Sequence, residues 1–222
     1  MHSKYYTRFK IISYNPFWKI YLRWAYQKCI DDFQKINYKA NFFKKGFTAL
    51  LCGTSGEVTS TEFVSFVLSK NPKARIIILD IAPKQLERSR IVLSKKFPNA
   101  KIKYIQADAK NIPLKDESID YIETDGILEY FSKGDMNILF KEWSRVLKKN
   151  GFVTLRDFAT NSLLGRIVDK IRLFVGKKYL GVTLYQHLLD NITNAIKNGK
   201  FKHVYGGGTF CPTYRRISLV KF

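Results

Sequence analysis

The sequence predicts an α/β protein with a doubly wound, mainly parallel sheet of seven strands. Short apolar runs alternate with longer segments of helical periodicity between residues 47 and 159. The runs are apolar along their whole length, as strands are when helices cover both faces of a parallel sheet. Breaks at Asn71-Pro72 and Pro98-Asn99 separate helices from the strands that follow them.

Five strands and three helices are assigned in this central region. The predicted strands are Ala49–Cys52, Arg75–Asp80, Ile102–Gln106, Ile119–Thr124 and Phe152–Arg156. The predicted helices are Glu57–Lys70, Pro83–Phe97 and Gly134–Lys148, and Asn150-Gly151 follows the last of them. Residues 160–182 form a basic amphipathic insertion, and a helix is predicted over 183–198. The end of the chain predicts a hairpin, Phe201–Tyr205 and Arg216–Lys221, joined through Gly206-Gly207-Gly208.

Residues 1–46 form a basic, aromatic-rich extension ahead of the main domain, which spans residues 47–222. From Pro16, a residue suited to the first turn of a helix, the stretch PFWKIYLRWAYQKCIDDF leaves only a narrow polar stripe. A helix this apolar must cover something. Packing against the domain is one interpretation. A lid on the substrate side and an anchor at a membrane surface are the others.

The chain has 222 residues and a net charge of +21, most of which its two ends carry. Residues 1–46 contribute +8 and residues 160–222 contribute +9, whereas residues 47–159 contribute only +4. Such a field favours phosphate-bearing partners, either RNA or an anionic membrane surface. A general lysine bias, spread over a solvated surface, is the alternative.

Cys29, Cys52 and Cys211 are odd in number and widely spaced, which indicates a reducing compartment. The three histidines lie far apart and near no cysteine pair, so we expect no metal site. No apolar run approaches the roughly 18 residues of a membrane span, and the N-terminus lacks the apolar core of a signal peptide. We therefore expect a cytoplasmic protein, with peripheral attachment to a membrane as a second possibility.

The first strand and the first helix are joined by the turn Gly53-Thr54-Ser55-Gly56. Such a turn leaves backbone N–H groups beside the carboxyl end of the strand, where a ligand can accept their hydrogen bonds. Glycine lets the ligand approach closely because it has no side chain. Cys52, Gly53, Thr54 and Gly56 are therefore candidate ligand-binding residues. A simple connection between strand and helix is the alternative.

Several longer stretches carry a family resemblance. ILDIAPKQLERSR is an apolar strand that ends in an acidic residue before a helix. YIQADAKNIPLKDESIDYIETDGILEYF spans the next two blocks, and EWSRVLKKNGFVTLRDF covers the helix, turn and strand that follow. In this order and spacing, residues 47–159 resemble the class I S-adenosylmethionine-dependent methyltransferases. The resemblance implies a Rossmann-like fold, S-adenosylmethionine as methyl donor and S-adenosylhomocysteine as product.

The resemblance also implies cofactor-binding residues. Asp80, with Ile81 beside it, occupies the position whose carboxylate accepts the hydroxyl groups of the adenosine ribose. Asp108 matches the position that contacts the adenine amino group, and the Ala109 backbone lies nearby. The alternatives are a helix-capping role for Asp80 and a turn role for Asp108.

Two further aspartates are candidate catalytic residues. Asp125, just after strand four, lies beside the methyl donor in such a fold and is also a candidate cofactor contact. Asp157, just past strand five, faces the expected pocket. Either carboxylate could act as a general base or orient a nucleophile. Surface charge and helix capping are the alternatives.

The first turn departs from the family's pattern, which has an acidic residue and then alternating glycines. This chain has Leu50 in place of the acid, Cys52 and Thr54 in place of two glycines, and Gly56 for the last. Gly53 substitutes for one of them after a slip of one residue. Either a modified loop binds the cofactor, or the fold has lost or changed its methyl donor.

Three functions from different classes follow. The favoured one is methyl transfer to a small molecule of lipid or quinone type, because the segment IPLKDESID most closely resembles enzymes of that type. It predicts a dependence on the amphipathic segments 16–33 and 163–175. An RNA methyltransferase is the first alternative and predicts binding that weakens steeply with salt. A non-catalytic binding protein on the same fold is the second, and the altered first turn motivates it.

Overall fold

The computed structural model describes residues 16–54, 56–181, 183–209 and 213–222. Its strands are β1 (Thr48–Cys52), β2 (Arg75–Asp80), β3 (Lys101–Gln106), β4 (Ile119–Asp125), β5 (Leu147–Phe158), β6 (Phe201–Gly208) and β7 (Tyr214–Lys221). Its helices are α1 (Pro16–Asp31), α2 (Glu57–Lys70), α3 (Pro83–Lys96), α4 (Lys133–Val146), α5 (Leu163–Leu180) and α6 (Leu189–Asn198). The predictions made for residues 1–15, Ser55 and Cys211 concern positions outside the described ranges.

The seven strands form one sheet in the order β3-β2-β1-β4-β5-β7-β6. β7 pairs antiparallel with both of its neighbours, and the other strand pairs are parallel. The predicted fold class, a doubly wound and mainly parallel sheet of seven strands, is therefore confirmed.

Helices cover both faces of this sheet. α1, α2 and α3 pack on one face over an aromatic cluster, in which Tyr121 and Phe152 stack with ring centroids 4.7 Å apart. α4 and α6 pack on the other face, where Trp143 and Phe140 are fully buried. No described side chain of α5 belongs to either core cluster. α5 therefore lies outside the two covering layers.

The described part of the N-terminal extension packs against the domain. α1 contacts α2, β5 and β7, and one of its sides is buried. The buried residues are Tyr21, Leu22, Ala25, Tyr26 and Cys29. Phe17 and Ile20 remain exposed on the opposite side. Packing is thus what holds α1 in place, because its apolar stripe has a partner within the chain.

Two predicted elements at the C-terminal end are wrong in detail. The helix predicted from residue 183 begins only at Leu189, because long-range hydrogen bonds replace the local ones. The Tyr185 N–H donates to the Glu129 carbonyl, and the Leu189 N–H donates to the Asn161 side chain. The glycines predicted to join the closing hairpin belong to β6 itself, where the pairing with β7 shifts register between Tyr205 and Gly208.

α4 and β5 also meet at a different place from the one predicted. The helix ends at Val146, and the strand begins at once with Leu147, which pairs with Ile119 of β4. Asn150 then adopts a left-handed backbone with φ of 57°. Asn150-Gly151 is therefore an irregularity within the strand rather than a turn ahead of it.

Among the described helices, none is both long enough and apolar enough to cross a bilayer.

Candidate active site

The strand order creates a crevice at one edge of the sheet. After β1 the chain moves outward to β2 and β3, and it then returns to β4 on the other side of β1. In open α/β sheets, ligands bind outside the carboxyl ends of the strands at such a switch point. The predicted site residues lie at or just beyond the carboxyl ends of β1 to β5, so the fold brings them to this one edge.

The turn after β1 is fixed by backbone hydrogen bonds to the end of β2. Gly53 has a positive φ of 81°, and its N–H donates to the Leu79 carbonyl over 2.8 Å. The Thr54 N–H donates to Asp80 Oδ2 over 2.7 Å. Gly56 is the residue that precedes α2, and its N–H donates to the Thr54 hydroxyl over 3.3 Å. The described part of the turn therefore presents a fixed loop ahead of a helix N-terminus, an arrangement suited to polar ligand groups.

The residues that replace the family's glycines are accommodated inside the fold. Cys52 is fully buried beside Trp143, and burial raises the pKa of its thiol to about 12. Thr54 is 1% exposed, and its hydroxyl donates to the Gly56 carbonyl over 3.0 Å. Leu50, in the acid's position, is also fully buried. These three side chains therefore do not obstruct the outer face of the turn.

Asp80 lies at the carboxyl end of β2, where two backbone amides fix its carboxylate. Oδ2 accepts from Thr54 N–H, and Oδ1 accepts from Ala82 N–H over 2.8 Å. The next residue, Ile81, has an exposed apolar side chain. A carboxylate accepts hydrogen bonds from a ribose diol, and an apolar side chain suits the flat face of a purine. The carboxylate of Asp80 and the apolar side chain of Ile81 therefore fit the adenosine part of S-adenosylmethionine.

Asp108 follows β3 at the same edge of the sheet. Its side chain is 41% exposed, and its Oδ1 accepts the Lys110 N–H over 2.9 Å. The Lys110 ammonium lies 3.9 Å from the Asp108 carboxylate but only 2.8 Å from Asp135, its closer partner. Ala109 is buried beside it. The exposed carboxylate is thus available to accept a hydrogen bond from an amino group.

Asp125 belongs to a buried cluster of charges at the end of β4. Arg156 is fully buried, ion-paired with Glu123 and 3.3 Å from Asp125 Oδ2. The Tyr214 hydroxyl donates to the other oxygen of Asp125. The Arg156 guanidinium also lies over the Tyr26 ring, 5.0 Å from its centroid. The cluster therefore holds the Asp125 carboxylate in one orientation, with the Arg156 cation shared between Asp125 and Glu123.

Asp157 is fully buried near the end of β5. It accepts the Leu128 N–H over 2.6 Å and the Phe158 N–H over 2.9 Å. Burial raises the pKa of the Asp157 carboxyl well above its usual range, and the nearby charge of Glu129 raises it further. Asp157 therefore ties the loop after β4 to β5. Its role as a general base, like that of Asp125, stays a prediction.

Glu129 and His187 complete this side of the edge. Glu129 is ion-paired with Arg172 of α5, yet burial still raises the pKa of its carboxyl above the usual value. His187 is buried, with Nε2 2.8 Å from the Leu128 carbonyl, and burial lowers the pKa of the imidazole. A neutral His187 that donates to this carbonyl serves as a structural link between the loop and the segment before α6.

Arg156 and Tyr214 are site residues that the motifs do not identify. The sequence feature that could have indicated them is a single arginine, Arg156, in the apolar fifth strand, together with the acids Glu123 and Asp125 at the end of the apolar fourth strand. Asp125 and Arg156 are partners in the register of β4 and β5. A charge inside an apolar strand needs a partner when it is buried. Opposite charges on adjacent predicted strands therefore indicate a buried pair.

The chain is similar to known proteins in both sequence and fold. Residues 55–155 match the sequence profile of a family described as a methyltransferase domain. Among solved structures, the YcgJ protein from Bacillus subtilis has a TM-score of 0.65 and 13% identity, covering 88% of this chain and 98% of its own. A Methanosarcina mazei S-adenosylmethionine-dependent methyltransferase has a TM-score of 0.60 and 15% identity, covering 82% and 95%.

A third similar structure holds the product of the cofactor. Magnesium protoporphyrin IX methyltransferase from Synechocystis PCC 6803, with bound S-adenosylhomocysteine, has a TM-score of 0.62 and 14% identity, covering 90% of this chain and 83% of its own. No curated protein sequence matches the chain. Together with the family match over residues 55–155, these findings identify a methyltransferase domain on the fold of the class I S-adenosylmethionine-dependent methyltransferases. The protein is an enzyme, and its cofactor is S-adenosylmethionine.

Proposed function

We propose that this enzyme methylates an apolar small molecule of lipid or quinone type. The acceptor edge is the part of the site formed by the carboxyl ends of β4 and β5 and the start of β7. The observation that carries the proposal is that three arginines at this acceptor edge are each ion-paired within the protein. The pairs are Arg156 with Glu123 and Asp125, Arg172 with Glu129 and Asp169, and Arg216 with Asp32. An RNA acceptor needs cations that can reach its phosphates. These arginines instead neutralise carboxylates, which favours an acceptor without a polyanionic backbone.

Aromatic rings at the same edge support an apolar acceptor. Tyr214 and Phe158 have ring centroids 4.6 Å apart, and the Arg172 guanidinium lies 3.5 Å from the Phe158 centroid. Trp18 and Tyr21 of α1 form a second ring pair, with centroids 5.1 Å apart. Among the relatives named above, the Synechocystis enzyme acts on a small molecule, magnesium protoporphyrin IX. None of those relatives is described as acting on RNA.

The chain's own contribution to catalysis is binding, orientation and exclusion of water. When bound, S-adenosylmethionine supplies an electrophilic methyl group on a sulfonium centre. Asp80 and Asp108 would hold its adenosine part, as their carboxylates fit a diol and an amino group. Tyr214 and Arg156 hold the Asp125 carboxylate in place, so that it does not have to move as the acceptor reacts. Removal of an acceptor proton by Asp125 or Asp157 is part of the proposal.

The proposal is tested by following a radiolabelled methyl group. Purified enzyme is incubated with labelled S-adenosylmethionine and, in separate reactions, a total lipid extract with detergent or total RNA. The expected result is label in the organic phase, with activity that rises in detergent. Asp80→Asn should lose this activity. Asp116→Asn, at a 72% exposed carboxylate beyond the opposite end of β4, should keep it.

Other results would overturn the proposal in identifiable ways. Label that precipitates with RNA would replace the lipid acceptor with the RNA alternative. Cofactor binding without transfer to either acceptor pool would refute the lipid or quinone acceptor and point to an acceptor outside both pools. A thermal melt of each variant shows whether a loss of activity reflects a loss of the fold.

A further inference from the structure

α5 presents its apolar side to solvent instead of to the domain. Leu164, Ile167, Val168, Ile171, Phe174 and Val175 are between 48% and 78% exposed. At roughly 100° per residue these six side chains fall within an arc of about 120° on the helix surface. Soluble helices normally turn such a stripe toward the core. A continuous exposed apolar stripe marks a surface that binds something.

The opposite side of α5, which faces the domain, contains small and polar residues. Asp169 is 1% exposed. At Gly165 a Cβ atom would lie 2.5 Å from Thr160 Oγ1, and at Gly176 it would lie 3.2 Å from Leu184 Cδ1. Two glycines therefore let this side approach its neighbours closely.

A polar clamp fixes the rotation of α5 about its axis. Arg172 is ion-paired with Glu129, and its Nε donates to Asp169 over 2.8 Å. The same guanidinium stacks on Phe158 of β5. Turning the apolar stripe toward the domain would break these contacts and leave buried charges unpaired, which is strongly unfavourable. The fold therefore enforces the exposure of the stripe.

The charges beside the stripe indicate what covers it. The exposed charged side chains of α5 are all basic: Arg166, Lys170, Lys177 and Lys178. Its one acidic residue, Asp169, is buried. Lysine and arginine beside an apolar helix face are the pattern of helices that lie in the interface of an anionic bilayer. A second copy of the chain would bring the same cations and a net charge of +21 to the contact, so the charges disfavour self-association.

We propose that α5 docks the enzyme on an anionic membrane by lying flat in the headgroup region with its apolar stripe toward the acyl chains. An 18-residue helix extends about 27 Å along the surface. The inference rests on the geometry and charge of α5 and not on the identity of the acceptor. It also deepens the proposed function, because Arg172 links the docked helix directly to Glu129 at the acceptor edge.

The test is flotation of the full-length enzyme with vesicles of phosphatidylcholine alone or with 30% phosphatidylglycerol. Wild type should float with the anionic vesicles at 0.15 M salt, and much less with neutral vesicles or at 0.5 M salt. Ile171→Asp and Phe174→Asp should each weaken anionic binding by at least about tenfold. Ile138→Asp is the matched control, because Ile138 on α4 is 52% exposed and the charge change is the same. It should bind as wild type does.

Retained affinity for S-adenosylhomocysteine shows that each variant is folded. Equal flotation of wild type and both α5 variants would overturn the proposal, because the basic surface elsewhere would then account for binding. The stripe would instead be assigned to self-association if wild type does not bind vesicles, sediments as a dimer, and becomes a monomer on Phe174→Asp substitution. Lipid methylation without vesicle binding would refute the docking alone. Vesicle binding without lipid methylation would refute the acceptor class alone.

Discussion

Removing the buried arginine at the end of β5 should strongly destabilise the protein. Arg156 is fully buried, and Glu123 and Asp125 are its acidic partners. Arg156→Met keeps much of the side-chain volume but leaves both carboxylates without their cation. Breaking a buried ion pair in this way costs about 3–5 kcal/mol. At a slope of about 2–3 kcal/mol per molar urea, a loss of about 4 kcal/mol lowers the unfolding midpoint by roughly 1.3–2 M.

The pH dependence of this loss has a definite sign. Burial already raises the pKa of Glu123, and removing Arg156 takes away the charge that opposes this rise. A carboxyl with a raised pKa in the folded state favours folding at low pH, and this contribution is lost as pH rises through the folded-state pKa. Arg156→Met should therefore cost more stability at pH 8 than at pH 5.5.

Urea unfolding followed by circular dichroism measures these effects. Arg90→Met is the matched control, because Arg90 is exposed and its replacement should change stability by less than about 0.5 kcal/mol. Glu123→Gln combined with Arg156→Met should cost less than the sum of the single changes, because the two residues interact directly. A midpoint for Arg156→Met equal to that of Arg90→Met would refute the reasoning.

Three further predictions concern buried groups. Cys52→Gly restores a glycine of the family pattern. It should lower the free energy of unfolding by about 1–3 kcal/mol and leave S-adenosylhomocysteine affinity unchanged in calorimetry; a clear gain in affinity would show that the thiol obstructs the cofactor. Burial lowers the pKa of His187, so the unfolded state binds the proton more readily and stability falls as pH drops below about 6.5. His187→Gln should flatten urea midpoints measured between pH 7.5 and 5.5, and an unchanged slope would contradict the assignment. Burial raises the pKa of both Cys29 and Cys52 to about 12, so a Cys211→Ser variant should react with a thiol reagent at pH 8 only after denaturation.

The parts of the fold that were predictable are those with a strong local pattern. β2 and α2 have the predicted bounds because uniform apolar runs and clear breaks define them. The start of α6 was not predictable, since a backbone bond between Tyr185 and Glu129 decides it across a long stretch of sequence. The glycines of β6 read as a turn, but a Cβ at Gly206 would collide with the Asp32–Arg216 pair. Only the folded chain brings these residues together.

The candidate site was likewise predictable only where a local sequence pattern determines it. Asp80 and Asp108 stand at strand ends that the sequence locates, so their common edge could be predicted. The burial of Cys52 and Thr54 could not, because it depends on which way each side chain turns within the first loop. The orientation of α5 also escapes the pattern, since its apolar periodicity is equally compatible with an inward-facing stripe. Its polar clamp, Arg172 with Glu129, forms only across the fold.

The measurement that bears most directly on the account is calorimetric titration with S-adenosylmethionine and, separately, S-adenosylhomocysteine. Its central claim is that the altered first turn still binds the cofactor, since Cys52 and Thr54 are turned inward and Asp80 is fixed by backbone amides. Wild type should bind both ligands saturably, Asp80→Ala should lose binding, and Asp116→Ala should bind normally. Absence of both heat and thermal stabilisation with either ligand would contradict it.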